Sequence, residues 1–199
     1  MAETVDTPTA ILASAAAMLR EHTFDDISYR SLGDAVGVSE RTVYRQFPTR
    51  SHLLESLAAW IEEDEFPLPA FVTIPQFQMA VRDRFAQFDA SPAFAFVCAR
   101  AASISPTGES EPTYLTRTVE AVLQTSHPTL NTRDLRRAAA TLRYFSSAQF
   151  WARMRTGFDM SAHDIADVFD RTAAVTLERL PPGSRAVGLT VTTDPKSSA

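Results

Sequence analysis

The sequence predicts an all-α protein built in two parts, and three observations carry that reading. Apolar side chains recur at helical spacing along most of the chain, with no convincing strand. Helix-starting and helix-stopping residues punctuate the first third at short intervals. A proline-rich stretch at residues 66–75, F-P-L-P-A-F-V-T-I-P, then sets that third apart from the remainder. The expected division is residues 1–65, residues 66–180 and a flexible tail at 181–199, where composition turns polar and periodicity ends.

The first helix is expected to open at Thr7 and Pro8, a cap followed by a proline that a first turn tolerates. It carries Ile11, Leu12, Ala15, Met18 and Leu19 toward a small core that Phe24 and Ile27 close. The run S-Y-R-S-L-G-D-A-V-G-V-S-E-R-T-V-Y-R-Q-F-P-T-R-S-H-L-L, Ser28 to Leu54, then spells two short helices joined by a tight turn, followed by the start of a third. Ser28, Ser39 and Thr49 are N-cap residues, whose side-chain oxygens accept from N–H groups that a first turn leaves unpaired. Gly37 can take the left-handed conformation that ends a helix, and Pro48 forbids continuation of the second helix, expected at about residues 40–47. Two short helices with this punctuation form a helix-turn-helix, which lays its second helix in the major groove of DNA.

The reading face follows from stepping about 100° per residue along that second helix. Val43 and Phe47 fall together and pack inward against Leu32, Val36 and Val38. Arg41 and Arg45 then point away from the core, with Thr42 and Tyr44 on the flanks. The helix is roughly 12 Å long, a length the major groove admits. The planar fork of arginine suits O6 and N7 of guanine, Tyr44 a phosphate, and Thr42 a base methyl or a phosphate. Ser28, Tyr29 and Arg30 begin the preceding helix, and helix N-termini commonly meet the nucleic-acid backbone. Arg50 lies in the first turn after Thr49, where a cation opposes the helix dipole, so a phosphate is its expected partner. The DNA-contacting set is thus Ser28, Tyr29, Arg30, Ser39, Arg41, Thr42, Tyr44, Arg45, Thr49 and Arg50.

The segment G-V-S-E-R-T-V-Y-R-Q-F-P-T-R-S-H-L-L, residues 37–54, resembles the DNA-binding signature of the TetR/AcrR family of bacterial transcriptional regulators. That signature runs from an alanine and glycine turn through a T-[LV]-Y-x-[YHQ]-F core to a basic residue and a Leu-Leu pair. Two departures are visible: Gly33 stands where alanine is usual, weakening its helix, and Arg50 replaces the commoner lysine. The resemblance implies a three-helix N-terminal DNA-binding domain joined to a helical ligand-binding and dimerisation domain.

Composition narrows the alternatives. A formal charge of −5 argues against a general nucleic-acid coat protein. Local sign is different, since Arg41 to Leu54 hold three arginines and no acid. No stretch approaches the roughly 20 apolar residues of a membrane span and no signal peptide is recognisable, so a cytoplasmic protein is expected. The single cysteine, Cys98, lies in an apolar run and reads as a buried side chain. The acidic run Glu62 to Glu65 reads as a solvated helix end before Pro67, because adjacent carboxylates do not converge on one point of a helix. The 4 histidines are scattered without metal-ligand spacing, and neither a phosphate loop nor a nucleophile elbow occurs. No catalytic residue, metal site or cofactor is assigned.

Beyond the proline-rich stretch five helices are expected. The first carries Phe77, Val81, Phe85 and Phe88; the second, from Ser91 and Pro92, carries Phe94, Val97, Ala101 and Ile104. Pro112 opens the third, with Leu115, Val119, Val122 and Leu123. The fourth and longest is expected from about Thr132 to Thr156, and the last follows a near capping box at Ser161 and Asp164. These last two helices offer more apolar surface than one core needs, which points to a four-helix homodimer interface including Phe145, Ala148, Ala152, Phe169, Ala173 and Thr176. The aromatic wealth of this part, with 13 phenylalanines in the chain, suggests an apolar effector cavity lined by Phe85, Phe88, Tyr114, Tyr144, Trp151 and Met154. The combined expectation is a dimeric repressor of a palindromic operator that an apolar or amphipathic small molecule releases. A protein-binding adaptor on a helix-turn-helix scaffold and a helical enzyme with an apolar pocket remain as alternatives.

Overall fold

Side-chain oxygens open most of the helices. Asp6, Ser28, Ser39, Thr49, Thr73, Asn131, Ser147 and Ser161 each hold an extended backbone and accept a hydrogen bond from the N–H three residues on, satisfying a donor that the first turn leaves free. The computed structural model describes residues 6–103 and 114–180, and among them every regular element is an α-helix. In chain order these are α1 (Thr7–Met18), α2 (Tyr29–Val36), α3 (Glu40–Gln46), α4 (Arg50–Asp64), α5 (Ile74–Ala90), α6 (Pro92–Ala101), α7 (Tyr114–Ser126), α8 (Thr132–Phe145), α9 (Ala148–Phe158) and α10 (Ala162–Glu178). The segment 181–199, expected to be a flexible tail, lies outside the described residues, as do Ile104 and Pro112.

Two starts and stops differ from expectation. Asp6 rather than Thr7 caps α1, accepting from the Thr9 N–H, and Thr7 is already helical. The expected long helix from Thr132 to Thr156 is broken in two at Ser146 and Ser147, so among the described residues six helices rather than five follow the proline-rich stretch. The Ser146 Oγ donates to the Arg143 carbonyl at 3.0 Å, and the Ser147 Oγ donates to that of Tyr144 at 2.7 Å. Ser147 also accepts from the Phe150 N–H at 3.1 Å and so starts α9. Paired serines divert the backbone from helical bonding while leaving the apolar rhythm intact, which hides the break from periodicity. Across this break the two aromatic residues face differently: Trp151 is fully buried and Tyr144 is 50% exposed.

Helices α1 to α4 enclose Ile11, Ala15, Leu32, Val43, Phe47, Leu53 and Leu57. Gly37 ends α2 at φ 73°, where any other residue is strained. Gly33 has a different role from the weakness expected of it. A Cβ there would stand 2.7 Å from the Val38 carbonyl oxygen and 3.3 Å from the Glu40 nitrogen, so the bare glycine lets α2 approach the start of α3.

Helix α4 packs on α1 on one side and on α6 on the other. The proline-rich stretch folds back with it: Phe66 and Phe71 are buried, Phe66 edge-on to Phe88 at 4.8 Å and Phe71 beside Phe77 at 4.9 Å. Phe77, Phe85, Phe88, Phe150, Trp151 and Phe169 fill the space between α5, α9 and α10 at ring separations of 5.6–6.3 Å. Asp89 ties this part together, accepting from the Trp151 Nε1 at 2.9 Å and from the Ala162 N–H at 3.1 Å. Arg82 pairs with Asp167 and Asp170, which fixes α5 to α10 by a second route.

Candidate nucleic-acid interface

The exposed side of α3 is assembled from its cap outward. The Ser39 Oγ accepts from the Thr42 N–H and lies 2.9 Å from the Thr42 Oγ1, which fixes both hydroxyls at the start of the helix. Val43 and Phe47 are buried beneath, against Leu32. Arg41 and Arg45 are exposed, and among the described residues no carboxylate pairs with either. Tyr44 is 52% exposed and meets the Tyr29 ring edge-on at 4.4 Å, which holds its phenol outward. Ser39, Arg41, Thr42, Tyr44 and Arg45 border one surface hollow of about 410 Å³. Five of the residues expected to meet DNA are thus brought together.

Ser28, Arg30 and Thr49 are exposed at the N-terminal ends of α2 and α4. Ser28 and Ser31 form a reciprocal capping box, Ser28 accepting from the Ser31 N–H and the Ser31 Oγ accepting from the Ser28 N–H. Two residues of the expected set belong elsewhere. Tyr29 is 5% exposed and its hydroxyl donates to the Phe47 carbonyl at 2.8 Å, so it tethers α2 to the end of α3; burial raises its pKa above the usual phenol value. Arg50 turns inward, its Nη1 donating to the Ile27 carbonyl at 2.7 Å and its Nη2 to that of Phe24. Its guanidinium also lies 4.2 Å over the Phe24 ring. The anion expected for Arg50 is replaced by two carbonyl dipoles and a ring face in the segment that leads into α2.

That segment also meets the C-terminal part. Arg100 of α6 donates to Asp25 at 2.8 Å, and this hydrogen bond holds the Asp25 carboxyl below its ordinary range. Cys98, also on α6, lies 3.8 Å from the Ala58 carbonyl of α4, and burial pushes its thiol up to about 12.

The second candidate site is a cavity of about 860 Å³, and it is not where the aromatic residues suggested. It is lined by the end of α4 (Ala59, Glu62, Glu63), by residues 66–72, by α7 (Leu115, Thr118, Ala121, Val122, Thr125) and by Arg84 and Arg143. Phe85, Phe88 and Trp151 are solid core, packed against one another instead of around a space. Tyr144 faces outward and Met154 packs on the core, so neither reaches the cavity, while Tyr114 is described only as the first residue of α7. The signal missed in the sequence was the acidic run. Glu62 pairs with Arg84 at 3.3 Å and Glu65 with Arg20 at 3.7 Å, so this helix end is not simply solvated.

Among the expected interface residues, Phe169 and Ala173 are fully buried within the protomer, Phe169 against Phe77 and Phe85, and Ala148 is 5% exposed. These three are core of a single chain, because the break before α9 and the turn into α10 direct them inward. Phe145, Ala152 and Thr176 are half-buried. Val175 and Tyr144 remain exposed nearby on α10 and α8.

A capped helix of this length with two unpaired arginines, held by a glycine turn on a three-helix core, defines a helix-turn-helix DNA-binding transcriptional regulator. Comparison with known proteins places the N-terminal part in a family. Residues 11–57 match the model of "Bacterial regulatory proteins, tetR family". The N-terminal part of the chain, residues 11–57, thus carries a DNA-binding domain of the tetR-family type. The fold agrees over most of the length: a TetR transcriptional regulator from Rhodococcus sp. RHA1 superposes with a TM-score of 0.62 at 15% identity, covering 86% of this chain and 97% of that one. No curated protein sequence gives a significant match. Among the described residues no helix is long and apolar enough to cross a membrane.

Proposed function

We propose that this regulator is a homodimeric cytoplasmic repressor that occupies a palindromic operator and releases it when a small molecule enters the cavity at the end of α4. Residues 1–65 serve as the DNA-binding unit and residues 66–180 as the regulatory unit. On DNA, Arg41 and Arg45 read base edges, Thr42 and Ser39 lie at the groove rim, and Tyr44, Ser28, Arg30 and Thr49 meet phosphates. A second protomer docks on the outward faces of α8 and α10, where Phe145, Thr176, Val175 and Tyr144 leave apolar surface, with Ala152 of α9 at the margin. Two recognition helices then read two half-sites, which multiplies specificity.

The observation that carries the ligand response is that α4 belongs to both sites. Its last turn, with Ala59, Glu62 and Glu63, walls the cavity, and its first residue, Arg50, grips the Phe24 and Ile27 carbonyls just before the α2 cap. Along the helix Ala59, Glu62 and Glu63 lie roughly 14 to 20 Å from Arg50, short enough to move as one body. A ligand that shifts the far end therefore alters the seating of α2 and α3. Release requires only that the ligand prefer the shifted arrangement, and couplings of about 1–3 kcal/mol are usual.

Selection of bound sequences from a random DNA pool tests the first half. A palindrome is expected, and Arg41→Ala is expected to cost about 1–3 kcal/mol and to relax preference at one position of each half-site. An unchanged consensus in that variant would remove Arg41 from the reading face. The second half is tested by operator affinity with and without a compound that stabilises the protein, since linkage demands that ligand and operator weaken each other by the same factor.

A further inference from the structure

The cavity at the end of α4 is largely apolar, yet it holds two guanidiniums. Arg84, with its side chain 6% exposed, comes from α5, and its Nη2 meets Glu62 at 3.3 Å. The Arg84 Nε–H is buried and has no hydrogen-bond partner. Its guanidinium also lies 5.3 Å over the Phe88 ring, so apolar contacts surround the rest of the group. Arg143 reaches the same cavity from α8 and makes no ion pair among the described residues. Of the two acids that line the wall among the described residues, Glu63 is exposed and Glu62 stands with the arginines.

Among the described residues the count inside the cavity is therefore two cations against one carboxylate. A guanidinium removed from water without a full set of acceptors is costly. The same cost appears in Arg143, whose affinity for its proton is lowered by burial, restored in part by Glu62 and lowered further by Arg84. Apolar walls from Phe66, Leu68, Phe71, Leu115 and Val122 would meet a hydrocarbon or aromatic body. The volume matches that of a small-molecule site, which typically holds a few hundred to about 1,000 Å³.

Resting on the reading of this cavity as the effector site, we propose that its ligand is an amphipathic carboxylate, its head group accepting hydrogen bonds from Arg143 and Arg84 and its apolar body lying between residues 66–72 and α7. The carboxylate completes the charge balance that Glu62 leaves short and supplies acceptors to donors that lack them. An uncharged ligand of the same shape would fill the walls and leave both guanidiniums as they are. An amine would add a third cation and be rejected.

The test uses the full-length protein and a series of straight-chain carboxylates from hexanoate to decanoate, below their micelle concentrations, each beside its primary amide. Titration calorimetry and thermal shift are read on the wild type, on Arg143→Leu and on Arg136→Leu, which removes an exposed arginine from the same helix. Carboxylates are expected to bind at least about tenfold tighter than their amides, as charge-assisted hydrogen bonds require. Arg143→Leu should abolish that preference and Arg136→Leu should keep it. Ala121→Trp, which fills the cavity, should remove binding of both series; if it folds poorly, Thr118→Trp serves in its place. Amides that bind as well as carboxylates would overturn the anion assignment while leaving an apolar effector site in force. Carboxylate preference that survives Arg143→Leu would also overturn it. If neither series binds, the amphipathic-carboxylate assignment fails, and release of the operator by any other cavity ligand then decides the broader reading separately.

Discussion

Replacing Arg50 by methionine separates two roles that a cation in this position can have. Methionine keeps most of the aliphatic stem and removes the fork, so the Phe24 and Ile27 carbonyls lose the donors that now meet them. Hydrogen bonds to a charged group contribute about 1.5–3 kcal/mol each. The site is only part-buried and water will replace some of the loss, so a total of about 2–3 kcal/mol is expected, including the ring contact over Phe24. For a chain of this size roughly 2–4 °C of melting temperature accompanies each kcal/mol, giving a fall of roughly 4–12 °C. Calorimetry or circular dichroism reads that change directly. Operator binding measured across salt concentrations reads the other role, because each phosphate that the protein ceases to neutralise would flatten the slope of log affinity against log salt by about 0.9. The structure requires a large thermal effect and an unchanged slope. A variant that melted within a degree of the wild type but had a flatter slope would show that Arg50 serves DNA and not the fold.

Three further outcomes follow from particular residues. Gly33→Ala gains about 1 kcal/mol of helix propensity but sets a Cβ against the Val38 carbonyl, and overpacking costs about 1–3 kcal/mol, so a lower melting temperature is expected; a higher one would mean that α2 and α3 can part cheaply. Cys98, with its thiol pushed from 9.0 to about 12, should present a thiolate population about a thousandfold below an ordinary cysteine at pH 8 and so resist aromatic disulfide reagents until the protein is unfolded. Because its folded value lies above the unfolded one, its contribution to stability is complete below pH 9.0 and declines as pH rises toward 12, which denaturant titrations at pH 8 and pH 10.5 would resolve. Asp89→Ala strands the Trp151 indole N–H and the Ala162 N–H, for a loss of about 2–4 kcal/mol and a shifted tryptophan emission; unchanged emission would show that Asp89 does not hold the indole.

Much of the helix-turn-helix was legible because caps and breakers are local. Ser28, Gly37, Ser39, Pro48 and Thr49 act on their own backbone or that of near neighbours, so their identities alone locate the ends of α2 and α3 and the start of α4. Direction of burial was legible for Val43 and Phe47 because a short helix has few faces. What failed was the fate of arginines and aromatics, which depends on distant partners. Arg41 and Arg50 look alike in sequence, yet Arg50 is committed to Phe24 and Ile27, more than twenty residues earlier, and Arg41 is not. Tyr29 and Tyr44 look alike as well, until a carbonyl at Phe47 claims one hydroxyl. Aromatic spacing marked Phe85, Phe88 and Trp151 as neighbours correctly, but neighbours can fill a space as readily as line one. The cavity instead drew its walls from the proline-rich stretch and α7, whose positions follow from how the chain folds back rather than from periodicity.

On the proposed ligand response, the two arginine sites would let a ligand of modest affinity differential matter to DNA. Both are coupled to α4: Arg50 by origin, and Arg84 through its pair with Glu62. On the proposed reading, a head group that draws Arg84 away from Glu62 would loosen one tie between the last turn of α4 and α5, and α4 would carry the displacement to its Arg50 end. The interactions at that end are worth about 2–3 kcal/mol, which is the size of an ordinary allosteric coupling. No rupture is then needed, only a preference for a slightly different seat of α4. In a dimer the same shift acts twice, once at each recognition helix, so a coupling of about 1.4 kcal/mol per protomer multiplies to roughly a hundredfold in operator affinity.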